Sequence, residues 1–274
     1  MKNDRIKEYK EACIFLKEYI NKKSEYAIIH FARENHFEEL LPKGPTIVAI
    51  AIFYPSSDSI SVHSLHRSAE TMKKEYNECS KDEKDEIEKR MLENFFDEVK
   101  SQKNKTWLHW NMKNHNFGFQ TLEDRFVALG GKMENDMKFD SSKTKNLATV
   151  FKRKYGPNYI NSISETKGKL YFLMERNSIS DPDLLTGREE VRAFIEGNIV
   201  RIELSVIAKV KVFERLLDYA RNGELKTDCR KWKDIYGLSI EGLAEYIQDN
   251  ALLAIISSIL TGIITTVVCK LLGM

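Results

Sequence analysis

The stretch TWLHWNMKNHNFGF, residues 106 to 119, gathers two tryptophans, two histidines and three asparagines within 14 positions. Read as a strand, residues 107 to 112 alternate: Leu108, Trp110 and Met112 face one way, Trp107, His109 and Asn111 the other. The first set suits a core. The second sets an aromatic ring beside two hydrogen-bonding groups, and Lys113, Asn114, His115 and Asn116 carry the polar character into a loop closed by Gly118. Such a face suits stacking on a base or gripping a phosphate. Trp107, His109, Asn111, Asn114 and His115 are therefore the candidate residues for recognising a ligand or partner, although Trp and His are also ordinary components of a polar sheet face.

Catalysis has less support. His63 and His66 in SVHSLHRS, with His109 and His115, supply enough imidazoles for a metal site, but no HExxH or HxH spacing and no ordered carboxylate partner accompanies them. No nucleophile elbow and no glycine-rich phosphate loop is present. The sequence thus predicts no catalytic residues, no metal and no cofactor.

The elements that must hold these residues follow from periodicity. Ile6, Tyr9, Cys13, Phe15, Leu16 and Ile20 share one face of an N-terminal helix. Strand-like runs cover residues 26 to 32 and 46 to 54, and the second is answered across PSSDS by ISVHSL. One or two helices are expected over residues 66 to 103. Thr121 with Asp124, and Thr186 with Glu189, have the spacing of capping boxes. Ile202, Val206, Val210, Phe213 and Leu217 recur at helical spacing. The expected fold is α+β, a small sheet with a mostly helical C-terminal half.

A second unusual stretch closes the chain. ALLAIISSILTGIITTVVC, residues 251 to 269, is without charge in a protein where 31% of residues are charged. About 20 apolar residues are needed to cross a bilayer core of about 30 Å, so the stretch reads as a single C-terminal transmembrane helix. The expected organisation is a recognition domain over 1–238, a juxtamembrane helix over 239–250 and the span over 251–272. Ala254, Ser258, Gly262 and Thr266 form a small-residue stripe that suits self-association of spans. Lys226, Arg230, Lys231, Trp232, Lys233 and Tyr236 suit contact with an anionic membrane surface.

Bulk composition constrains partners. Without Lys270 the chain carries a net charge of +1, too little for nonspecific nucleic-acid binding to be its main task. The four cysteines (Cys13, Cys79, Cys229 and Cys269) lack CxxC spacing and fit a reducing compartment.

A charged α+β body followed by one apolar C-terminal helix resembles the tail-anchored membrane effectors of prokaryotic antiviral defence, the Argonaute-, retron- or cyclic-nucleotide-linked type. The resemblance is one of architecture, carried by the 251 to 269 stretch and its small-residue stripe. It implies a non-enzymatic protein of the inner membrane with the bulk of the chain cytoplasmic. Its partners would be membrane lipid, further copies of itself, and an operon partner such as an Argonaute-type protein or a nucleotide signal. Clustering of the helices would then depolarise the membrane, and no sequence-specific nucleic-acid binding is implied. The alternatives are a membrane-tethered enzyme acting on nucleic acid or nucleotides, and an adaptor that only recruits a partner.

Overall fold

The computed structural model describes residues 2–34, 44–114, 117–161, 168–236 and 240–272. It divides into two compact units, one made of residues 1–13, 151–161 and 227–274, the other of residues 14–150 and 162–226. The sequence boundaries at 238 and 250 both fall within the first.

The larger unit is built on a five-stranded mixed sheet. β1 (Tyr26–Arg33), β2 (Ile47–Tyr54) and β3 (Ser59–Ser64) form an antiparallel meander. The chain then passes through α2 (Leu65–Thr71) and α3 (Lys81–Ser101) to β4 (Thr106–His109), which lies parallel to β1 on the side away from β2. β7 (Thr144–Asn146) adds in parallel beyond β4, giving the order β3-β2-β1-β4-β7. Between them lie a short hairpin, β5 (Lys113–Asn114) and β6 (Phe117–Gly118), and α4 (Phe119–Ala128). The helices α5 (Leu147–Tyr155), α6 (Lys169–Arg176), α7 (Gly187–Ile195) and α8 (Ile199–Asn222) complete the helical half.

β1 and β2, YAIIHFAR and IVAIAIFY, are mostly apolar and buried nearly throughout, as strands covered on both faces of a sheet are. On one face lies α8: Phe213 stacks on Trp110 at 5.8 Å and meets the His30 ring edge-on at 5.6 Å. On the other lie α3 and α4. Phe95 packs on His63, Phe96 on Phe126, and Phe139 fills the space over Trp107 and Phe119. This three-layer arrangement decides the fate of the polar strand face read from the sequence.

Helix ends follow local chemistry. Ser80 with Glu83, and Thr186 with Glu189, form reciprocal capping boxes, each side chain bonded to the other residue's backbone N–H. α8 stops at Gly223, whose φ of 76° is left-handed, a conformation that costs glycine little. Thr121 is not an N-cap. α4 starts two residues earlier, with Gly118 as its N-cap, and the Thr121 hydroxyl accepts from the Gly118 amide at 3.2 Å.

The smaller unit packs Ile6, Ile235 and Tyr236 with Tyr9, Cys229 and Tyr246. It contains α9 (Lys231–Asp234), α10 (Ile240–Gln248) and α11 (Ala251–Leu272). Here the structure corrects the sequence. No helix among the described residues is long and apolar enough to cross a membrane. With the span go the expectations that named it directly: the transmembrane part of the fold, tail anchoring and a single-pass inner-membrane location. The stripe hydroxyls are satisfied within their own helix: Ser258 donates to the Ala254 carbonyl and Thr266 to that of Gly262, each at 2.8 Å. A Cβ at Gly262 would meet nothing within 4 Å.

Candidate functional site

Parallel strands put their carboxyl ends on one edge of a sheet, and ligands of open α/β sheets bind outside that edge where the strand order reverses. The reversal here lies between β1, whose next strand pairs on one side, and β4, which pairs on the other. The residues at this edge are His30, Arg33 and Glu34 at the end of β1, His109 to Asn111 after β4, and Asn146 at the end of β7.

The WLHWNM segment is an anchor at this edge. The strand ends at His109 rather than at 112, and Trp107 and His109 are each only 3% exposed, because Phe139 and Phe119 cover the face they point to. The His109 Nδ1 accepts the Met112 amide at 3.1 Å, which assigns the ring proton to Nε2 in the neutral tautomer. Asn111 is exposed and takes a left-handed φ of 54°, a conformation Asn tolerates better than most residues. Its backbone N–H donates to Asn146 Oδ1 and its own Oδ1 accepts from Asn146 Nδ2, both at 3.2 Å, while Asn146 Oδ1 also accepts the Ala148 amide. The pair thereby ties the end of β4 to the start of α5. Asn114 lies in β5, and His115 falls outside the described residues.

Arg33 is the odd residue at this edge. It is 5% exposed, its buried Nε has no hydrogen-bond partner, and no ion pair to it exists among the described residues. Its guanidinium carbon lies 5.9 Å from the centre of the Phe117 ring, which stacks on Phe31. Burial lowers the Arg33 pKa, and the neighbouring Glu34 carboxylate opposes that shift. A cation–π contact returns roughly 0.5 to 2 kcal/mol, whereas a buried charge left without its partner costs on the order of 3 to 5 kcal/mol. Sequence reading passed over Arg33 because it ends an otherwise apolar strand.

Beside Glu34 opens a cavity of about 410 Å³. α3 supplies Lys81, Lys84, Asp85 and Glu88 to its wall, and Tyr76, Phe194 and Arg125 complete it. Its floor is a buried ion pair. Arg125 grips Glu88 through Nε at 2.9 Å and Nη2 at 2.5 Å, and the Ile47 amide donates to Glu88 Oε1 at 2.7 Å. Burial pushes the Glu88 carboxyl up, and the guanidinium and the Ile47 amide oppose the rise. For Arg125 burial acts to lower the pKa, but the Glu88 carboxylate prevails and raises it. Lys84 sits 5.3 Å over the Tyr76 ring. A second cavity of about 420 Å³ shares Tyr76, Lys84 and Phe194 with the first. Among the described residues no cluster of His, Cys, Asp or Glu is arranged to hold a metal ion.

His63 lies elsewhere, at the sheet edge. Its Nε2 is 2.6 Å from Glu98 Oε2, and Glu98 also accepts from Ser61 at 2.7 Å and Tyr54 at 2.5 Å. Burial alone would raise the Glu98 carboxyl, but these hydrogen bonds outweigh it and hold it below its ordinary value. A depressed carboxyl stabilises the fold fully above its unfolded pKa of about 4.3, and that contribution disappears as pH falls through the folded value. We therefore expect Glu98→Gln to be less stable than the parent at pH 7, with the gap narrowing below about pH 4. Urea titrations at both pH values measure it; a gap that does not change with pH would mean that the Glu98 charge contributes nothing.

The residues expected at a membrane surface are dispersed. Tyr236 is buried, donates to Asp249 Oδ2 at 2.8 Å, and packs edge-on against Tyr9 and Tyr246. Arg230 and Lys233 are exposed, and Lys231 and Trp232 lie in α9. Lys226, exposed, belongs to the larger unit, where its amide donates to Asn177 Oδ1 at 2.7 Å. No family model, curated protein or solved structure matches the chain.

Proposed function

We propose that the protein is a receiver, a non-catalytic module that binds a nucleotide-class signal in the cavity beside the end of β1. The observation that carries this reading is the lining of that cavity, which combines Tyr76 and Phe194 with Lys81 and Lys84 and with Asp85 and Glu34. Aromatic rings accept a base by stacking, ammonium groups meet phosphate, and carboxylates accept from sugar hydroxyls or base N–H groups. A volume of about 410 Å³ is within the range of small-ligand sites. Glu88, the best-placed carboxylate for general base work, is held by three donors and is not free to take a proton. The effector resemblance depended on a membrane span and is set aside; the receiver role did not depend on it.

The test is a thermal-shift and calorimetric screen of the full chain against nucleoside mono-, di- and triphosphates and cyclic dinucleotides. At least one nucleotide should raise Tm, and Lys84→Ala should weaken its binding about tenfold, the loss of one charge-assisted contact. If no nucleotide at 1 mM shifts Tm, or if Lys84→Ala binds as the parent does, the reading fails.

A further inference from the structure

We propose that Arg33, at the reversal point between β1 and β4, is the ligand for an oxyanion of the phosphate class, at a position separate from the cavity. Three observations converge on it. The residue is 5% exposed, yet among the described residues it has no ion pair and its buried Nε has no acceptor. The neighbouring carboxylate does not turn to it: Glu34 Oε1 is engaged by the Thr46 amide at 3.1 Å. Its place is the carboxyl end of the strand from which the sheet order reverses, where open α/β sheets bind ligands.

The chemistry follows from the side chain. An arginine cannot discard its proton in a protein, so burial does not resolve its charge by neutralising it. Its planar fork matches the two oxygens of a phosphate or pyrophosphate and can hold them with paired N–H bonds. The bulge in the β1–β2 register between Ala32 and Arg33, where Ala32 faces Ala49 but Arg33 faces Ile47, re-aims the side chain at the strand's end. Phe117, stacked on Phe31, supplies a wall to the guanidinium. The ligand is an oxyanion because, among the described residues, the one carboxylate at that edge, Glu34, is engaged by the Thr46 amide and forms no ion pair with the guanidinium.

The proposal does not depend on the cavity reading, and inorganic pyrophosphate, which has no base to stack, separates the two. Full-length protein is titrated with pyrophosphate by calorimetry, and its Tm is followed with pyrophosphate or sulfate at equal ionic strength. Pyrophosphate should bind and raise Tm, Arg33→Met should weaken binding at least tenfold, and Lys84→Ala should leave it within about twofold. Arg33→Met should also melt no lower than the parent in phosphate-free buffer, because methionine keeps the stem and removes the uncompensated charge. A nucleotide arm identifies the source: loss of nucleotide affinity in Arg33→Met assigns the oxyanion to a nucleotide's phosphate, and retention assigns it to a free phosphate. The proposal is overturned if Arg33→Met binds pyrophosphate as the parent does. It is equally overturned if sulfate raises Tm as much as pyrophosphate in both proteins, or if Arg33→Met alone collapses the fold, which would mean that the chain itself neutralises the guanidinium.

Discussion

Glu88→Ala is expected to cost about 3 to 5 kcal/mol, enough to leave a domain of this size barely folded. Glu88 is 1% exposed and Arg125 5%, so removing the carboxylate takes away the guanidinium's bidentate counter-ion, leaves it the Gly44 carbonyl at 3.2 Å, and orphans the Ile47 amide at the start of β2. Asp85 lies 3.7 Å from the same guanidinium, a charge contact beyond hydrogen-bond distance and weaker than the bidentate pair. Arg125→Met should cost a similar amount for the opposite reason, since it leaves a buried carboxylate with a single backbone donor. The double variant Glu88→Met with Arg125→Met should recover much of the loss, because the desolvation of both ions disappears together. Urea unfolding of the four proteins in a double-mutant cycle measures the coupling, expected at about 2 kcal/mol or more. Single variants that each lose under about 1 kcal/mol would show that water reaches the pair and that it is not buried in solution.

The β1–β3 meander was legible because its strands are largely apolar runs with turn residues between them, whereas the three-residue β7 was not. YAIIHFAR, IVAIAIFY and SISVHS lie within a residue or two of where alternation and composition put them. Capping chemistry was legible at Thr186 with Glu189, where both partners lie within four residues and no tertiary contact competes. What sequence could not carry was the second cover of the sheet. Whether the face with Trp107 and His109 meets water depends on Phe119, ten positions further on than His109, and on Phe139, thirty positions further on. The cavity was invisible for the same reason. Its floor joins Glu88 to Arg125, 37 residues apart, and each reads alone as one more charge on an amphipathic helix. Arg33 was missed for a different reason: a lone arginine ending an apolar strand looks like a solvated terminus until its burial is known. The tail misled by composition alone: 19 uncharged residues in a row read as a span, but no helix among the described residues is long and apolar enough to cross a membrane.

Trp107→Ala separates the two accounts of the polar strand face. If the ring stood on an exposed face, as alternation alone suggests, truncation would change stability by less than about 1 kcal/mol. The structure instead places it at 3% exposure with Phe139 edge-on at 5.2 Å, on the interior strand β4, paired to Ala27 on one side and Thr144 on the other. Ala27 is too small to close in, and Phe139 also stacks on Phe95 and Phe119, so the aromatic layer is held in place on three sides. A cavity the size of an indole therefore stays open, and Trp107→Ala should cost about 3 to 5 kcal/mol. Trp107→Phe should cost less, because it keeps an aromatic edge against Phe139. Chemical denaturation gives the stabilities, and tryptophan fluorescence follows the remaining indoles, of which Trp110 reports the opposite face of the same strand. A large loss in Trp107→Ala with pyrophosphate binding intact in the folded fraction of Trp107→Phe makes this residue a support of the site edge. A loss under about 1 kcal/mol would return Trp107 to the surface, and with it the stacking role that its sequence neighbourhood first suggested.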